Sequence, residues 1–141
     1  MEKVINNEND EILTYNEARQ VLGVLELRLN KDVEKWREWS KEYIEVPAGR
    51  VVITKGANSI IKDQEGLNFI RKCLARHLYG DFGDLKYFED WQENILAIWT
   101  RDGRILSRYI GQNGTNDIYI ITEGIGLADY HYTTIMLVDE Y

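Results

Sequence analysis

The densest group of chemically capable side chains lies in the stretch 76–84, which reads RHLYGDFGD. His77, Asp81 and Asp84 fall within it, and its two glycines permit a turn that brings the three side chains together. An imidazole beside carboxylates suits general acid–base catalysis or a hard metal ion, with Glu123 as a further ligand. The alternative is a helix-ending turn, in which both aspartates cap the next helix and His77 is hydrogen-bonded inside the fold.

No other catalytic signature accompanies this stretch. Cys73 is the single cysteine, and the pattern places it on an apolar helix face, where a thiol is usually inert packing. The chain has no P-loop, and Gly124-Ile125-Gly126 lacks the third glycine of a dinucleotide-binding fingerprint. We therefore expect no cofactor, and a cysteine-based zinc site would need more thiols than one.

Acidic residues are concentrated in and just after the same stretch. Five carboxylates fall close together there: Asp81, Asp84, Glu89, Asp90 and Glu93. The whole chain has a net charge of -7, which disfavours direct nucleic-acid binding because the phosphate backbone is also negative. Such an acidic surface can instead imitate phosphate and engage a basic groove on a nucleic-acid enzyme. Ordinary solubility is the competing explanation.

Aromatic residues extend this candidate binding surface. Two tryptophans lie on the N-terminal helical pattern, and Tyr130 and His131 precede the last strand. The residues predicted to bind a protein partner are Trp36, Trp39, Asp81, Asp84, Glu89, Asp90, Tyr130 and His131. For the last two, packing across neighbouring strands explains the pattern equally well.

A long helical pattern precedes these candidates. Apolar residues recur every three or four positions from Ala18 to Leu29, and Thr14 with Glu17 forms a capping box at the start. The pattern continues to residue 45, with a weak helical step at 30–32, so one helix of about 45 Å and a pair of helices are both open. A single long helix would project and allow a homodimer through the N-terminal segment. Packing on the chain's own core is the alternative.

The pattern after residue 45 predicts a mixed fold. Pro47 stops the helical pattern, and we place a boundary there between a helical extension, 1–45, and a domain, 46–141. We predict strands over 50–54, 104–110, 117–122 and 132–138, helices over 67–79 and 87–99, and a turn at Asn113-Gly114. The fold class is therefore α+β, with a small antiparallel sheet of three to four strands, ending in a meander, packed on helices.

Localisation is indicated by what the sequence does not contain. Its apolar runs are shorter than the roughly 18 residues of a membrane span. The first residues, MEKVINNENDE, are polar and acidic, unlike a signal peptide. We therefore expect a cytoplasmic protein with no membrane partner.

A series of short motifs runs through the C-terminal two-thirds of the chain. They are Gly49-Arg50-Val51-Val52, the stretch 76–85, Arg104-x-Leu106-Ser107-x-Tyr109 and Ile120-Ile121-Thr122-Glu123. In their order and spacing, residues 46–141 resemble a family of small proteins of plasmids and other mobile elements, labelled plasmid-related proteins or type I restriction subunits. The chain departs from that family at Phe82, where the family commonly has tryptophan, and in a longer loop over 124–132. The resemblance implies a mobile-element setting and no defined activity.

These observations lead to one expected function and two alternatives. Small acidic proteins of mobile elements that lack a catalytic signature often protect the element by binding a host defence enzyme. We expect a non-enzymatic binding protein, an inhibitor of a CRISPR or restriction nuclease. The alternatives are a small metal-dependent or acid–base enzyme centred on His77, Asp81, Asp84 and Glu123, and a homo-oligomeric structural or regulatory module.

Overall fold

The α+β class is confirmed by the computed structural model, which describes residues 12–112 and 116–141. Its helices are α1 (Tyr15–Leu29), α2 (Val33–Tyr43), α3 (Lys55–Asn58), α4 (Gln64–Leu78), α5 (Phe88–Thr100) and a final 3-10 turn (Val138–Glu140). Its strands are β1 (Arg50–Ile53), β2 (Arg104–Tyr109), β3 (Ile118–Glu123) and β4 (Tyr132–Leu137). The turn predicted at Asn113-Gly114 lies outside the described residues.

The N-terminal helical pattern forms two helices. The predicted capping box is present, because the Glu17 backbone N–H donates to Thr14 Oγ1 at 3.2 Å and the Thr14 N–H donates to Glu17 Oε1 at 2.9 Å. Asn30 ends α1 with a φ of 55°, which is not helical, and the Asp32 side chain caps α2. The single projecting helix that the sequence left open therefore does not form.

The sheet is mixed, with the strand order β1-β4-β3-β2. The meander predicted for the C-terminal strands is confirmed, since β2, β3 and β4 pair antiparallel in sequence order. The prediction of an antiparallel sheet is wrong for β1, which pairs parallel to β4. Three helices and two strands separate β1 from β4, and a residue pattern that predicts a strand does not predict its direction in the sheet.

Two apolar clusters hold these elements together. The first packs α4, through Phe69, Ile70 and Cys73, on the inner face of the sheet. The second joins α1, α2 and α5, where Leu22, Leu25 and Trp36 pack with Trp91, Ile95 and Trp99. The N-terminal helices thus share a core with α5, which belongs to the segment predicted as a separate domain.

The two edges of the sheet differ. At β2, the Asn94 side chain of α5 donates to the Leu106 carbonyl at 2.8 Å and accepts from the Leu106 N–H at 2.9 Å. Farther along, Asp84 N–H donates to the Arg108 carbonyl and Arg108 N–H donates to the Phe82 carbonyl. The β2 edge is therefore covered, whereas Val51 and Val52 of β1 are 46% and 40% exposed.

A membrane span requires a helix that is both long and apolar. Within the part of the chain that the structure describes, no helix is both long enough and apolar enough to cross a bilayer.

Candidate functional site

His77 lies at the centre of a buried hydrogen-bond chain. Its Nδ1 is 2.6 Å from Ser107 Oγ, and its Nε2 is 2.8 Å from Thr122 Oγ1. Thr122 Oγ1 is in turn 2.7 Å from Thr133 Oγ1, whose hydroxyl donates to the Ala48 carbonyl. The chain connects α4 with three strands through side chains that are fully buried.

Counting protons along this chain fixes the tautomer of His77. Thr133 uses its hydroxyl proton on Ala48, so Thr122 must donate to Thr133 and accept from His77 Nε2–H. Nδ1 then accepts from Ser107. Burial lowers the pKa of His77 to about 3, which keeps this imidazole neutral at physiological pH. His77 is therefore a structural residue with both ring nitrogens satisfied.

Asp81 is the centre of a second polar cluster, at the turn after α4. Arg37 Nη1 of α2 donates to Asp81 Oδ1 at 3.0 Å, and Arg76 Nε donates to Asp81 Oδ2 at 2.9 Å. Burial of Asp81 opposes its ionisation, but the hydrogen bonds from Arg76 and the Gly83 N–H outweigh it, and the pKa of Asp81 is lowered. Its carboxylate ties α2 to the end of α4 and has little capacity left for a ligand.

The four residues of the predicted metal site are not brought together. Asp84 accepts from the Ile110 N–H at 3.0 Å, at the end of β2. Glu123 follows Thr122 on β3 and therefore lies on the opposite face of the sheet from His77. Across residues 12–112 and 116–141, no group of three or more histidine, cysteine or acidic side chains could hold a metal ion. Burial also raises the pKa of the Cys73 thiol to about 11, which removes it as a nucleophile at neutral pH.

The aromatic candidates divide between core and surface. Trp36 and Trp39 are 0% and 6% exposed, so the prediction that they contact a partner is corrected: helix α2 folds back and buries both rings against α5. Tyr130 is 70% exposed. His131 is half-buried, and its Nε2 donates to the Pro47 carbonyl at 2.7 Å, which anchors the segment before β1.

The acidic candidates after residue 85 remain on the surface. Glu89, Asp90 and Glu93 are exposed on the first turns of α5. Asp90 and Glu93 line a cleft of about 430 Å³ between α5 and the covered edge of β2. Asp102, in the turn that connects α5 to β2, is a third carboxylate of this cleft.

Electrostatics and shape make this acidic cleft suited to a cationic group. Burial, and secondly the neighbouring Glu89 carboxylate, raises the pKa of Asp90, so a positive charge placed nearby would relieve unfavourable charge. Arg104 is the basic residue of the lining, and its guanidinium lies over the Tyr141 ring, 5.0 Å from the ring centre. The floor includes Leu85, Ala97 and Leu106, which can pack against the methylene stem of a lysine or arginine.

Only part of this cleft is visible in the sequence. Asp90 and Glu93 are recognisable in the sequence as acidic residues near the beginning of a predicted helix. Tyr15, Asn94 and Asp102 also belong to the lining, yet Tyr15 is distant from the other two in the chain, and the predicted patterns do not indicate that α1 and β2 meet at α5.

Comparison with known proteins adds no relative: no family model, curated protein or solved structure matches this chain.

Proposed function

We propose that this protein is a non-enzymatic binding protein of a mobile element, and that it inhibits a CRISPR or restriction nuclease of the host. The observation that carries the proposal is the acidic cleft between α5 and β2, with Asp90, Glu93 and Asp102 in its lining. Its place of action is the cytoplasm, where host defence nucleases meet incoming DNA.

The hydrogen bonds and ion pairs of the other candidate groups support a binding function over a catalytic one. His77 is neutral and fully hydrogen-bonded, Asp81 is held by two arginines, and Asp84 accepts from a backbone amide. By contrast, Glu89, Asp90 and Glu93 face solvent. Asp90 and Glu93 are thus available to a partner in the lining of one concave surface.

The chemistry of the cleft selects a basic partner. Nucleases hold the phosphate backbone with lysine and arginine side chains, which are the same groups that donate strong hydrogen bonds to carboxylates. A net charge of -7 would speed the encounter with such a groove at low salt. The resemblance of residues 46–141 to mobile-element proteins agrees with a nuclease as the target.

The proposal is tested by capture of the partner. The tagged full chain is incubated with lysate of a host that has CRISPR and restriction systems, and bound proteins are identified by mass spectrometry. We expect stoichiometric capture of a nuclease component by the wild type and its loss in the double variant Asp90→Asn/Glu93→Gln. Removing two charged hydrogen-bond acceptors should weaken binding at least about tenfold, since each charged hydrogen bond contributes about 1.5–3 kcal/mol.

The matched control is Glu42→Gln/Glu45→Gln. It removes the same charge from exposed positions at and beyond the end of α2, away from the cleft. The control should capture the nuclease as the wild type does. Equal loss in both double variants would show that net charge, and not the acidic cleft, determines binding, and a wild type that captures no nuclease would contradict the proposal.

A further inference from the structure

Within the part of the chain that the structure describes, the outer edge of β1 presents backbone groups without a partner. Arg50 N–H donates to the His131 carbonyl and Thr54 N–H donates to the Ile135 carbonyl, so residues 50, 52 and 54 direct their backbone groups toward β4. Because these directions alternate along a strand, the N–H and C=O of Val51 and Ile53 point outward. Among residues 12–112 and 116–141, neither has a hydrogen-bond partner at that edge.

Among residues 12–112 and 116–141, this edge is protected against pairing only by its short length and by the charge of Arg50. Proteins blunt an edge strand by keeping it short, or with charged residues, proline, a bulge or a covering element. The edge of β2 is covered in this way by Asn94 and by the segment 82–84. The sequence of β1 is RVVI, and the side chains of Val51 and Val52 are both exposed, one on each face.

We propose that β1 is the interface of a homodimer, in which two copies pair their β1 strands antiparallel across a two-fold axis. The register follows from the outward backbone groups. Val51 of one copy and Ile53 of the other exchange both backbone hydrogen bonds, and the reciprocal pair does the same. Val52 then lies opposite Val52 of the second copy, on the axis.

The strand is its own complement in this register. Val51 meets Ile53 on the inner face, Val52 meets Val52 on the outer face, and Arg50 lies opposite Thr54 rather than opposite another arginine. β-Branched side chains pack well against cross-strand neighbours, and like charges directly opposed are unfavourable. The two sheets would join into one continuous sheet, and the acidic cleft at the β2 edge would stay open in both copies.

The test is sedimentation of the full chain over concentrations from about 1 µM to 1 mM, the range of modest dimer affinities. We expect a concentration-dependent dimer for the wild type. Val52→Lys places two ammonium groups opposite each other on the axis and should raise the dimer Kd at least about tenfold. The monomer tolerates this change, because Val52 is 40% exposed and its backbone bonds to β4 are kept.

Leu27→Lys is the matched control. Leu27 is 82% exposed on α1, and the change adds the same charge on the N-terminal helix. It should leave the dimer unchanged. Dissociation by Leu27→Lys and not by Val52→Lys would place the interface on α1 and overturn the proposal, as would a wild type that sediments as a monomer at every concentration.

Hydrogen exchange gives a second, independent measurement. At concentrations where the wild type is dimeric, the amides of Val51 and Ile53 should exchange slowly, and dilution should release them. Fast exchange of both amides in the dimer would contradict pairing through β1.

Discussion

At the scale of residues, the polar stretch 76–84 most resembles a catalytic centre in the sequence. In the structure its side chains belong to two structural clusters. His77 organises a chain of buried hydroxyls between α4 and the sheet. Asp81 joins Arg37 and Arg76, and through them α2 and α4. The same residue types that could catalyse a reaction therefore serve here to satisfy buried polar groups.

The neutral state of His77 predicts a pH dependence of stability. The folded pKa of about 3 lies below the unfolded value of 6.5, so the unfolded chain binds more protons between these values. Stability should then be complete above about pH 6.5 and fall as the pH decreases, by up to about 1.4 kcal/mol per pH unit from this one residue. Urea unfolding between about pH 6.5 and 5, above the usual carboxylate range, measures the slope.

The variant His77→Gln is the control for this pH dependence of stability. Glutamine is neutral throughout this range and can both donate and accept, so the variant should unfold with a shallower pH dependence, whatever its absolute stability. An identical slope in the wild type and the variant would show that His77 does not titrate between the two states as described.

At the scale of elements, the contact between α5 and β2 combines two roles. Asn94 uses its amide as a strand would use its backbone, which protects the β2 edge and positions α5 beside it. The acidic cleft is the space left along this junction. Asn94 therefore helps to set the position of the cleft carboxylates relative to β2.

Asn94→Leu should reveal that dependence. The variant leaves the N–H and C=O of Leu106 without their partner, at a cost of about 2–4 kcal/mol in the free energy of unfolding. Asn94→Asp keeps an acceptor for the Leu106 N–H but turns a carboxylate oxygen toward the Leu106 carbonyl, so this variant should also lose stability in the same urea titration. A loss below about 0.5 kcal/mol for Asn94→Leu, the level of an ordinary surface substitution, would contradict this role.

Elements with local signals were predictable from the sequence, and their assembly was not. The Thr14–Glu17 capping box and the strands of the meander are visible in neighbouring residues. The parallel pairing of β1 with β4 and the Asn94–Leu106 contact depend on residues far apart in the chain. The burial of Trp36 and Trp39 depends on the turn at Asn30, whose positive φ folds α2 back onto α5.

At the scale of the whole molecule, the N-terminal helices are part of the main core. Ala18, Leu22 and Leu25 of α1 and Trp36 of α2 are all fully buried in the cluster that contains Trp91 and Trp99. Together they cover one side of α5, while β2 lies along another. Helices α1 and α2 therefore contribute to the folding of the chain.

A chain truncated to begin at Val46 should lose cooperative unfolding. Without α1 and α2, the apolar face of α5 with Trp91, Ile95 and Trp99 would be exposed to water. We expect broad thermal unfolding and binding of a hydrophobic dye, compared with a sharp transition and little dye binding for the full chain. A truncated chain that unfolds as sharply, near the same temperature, would instead support residues 46–141 as an independent domain.

If the acidic cleft binds and inhibits a nuclease, DNA cleavage by the captured nuclease should decrease as this protein is titrated into the reaction. We expect stoichiometric inhibition by the wild type and by Glu42→Gln/Glu45→Gln, with at least about tenfold weaker inhibition by Asp90→Asn/Glu93→Gln. Cleavage that continues unchanged at excess wild-type protein, or equal inhibition by the wild type and the cleft variant, would contradict the proposal.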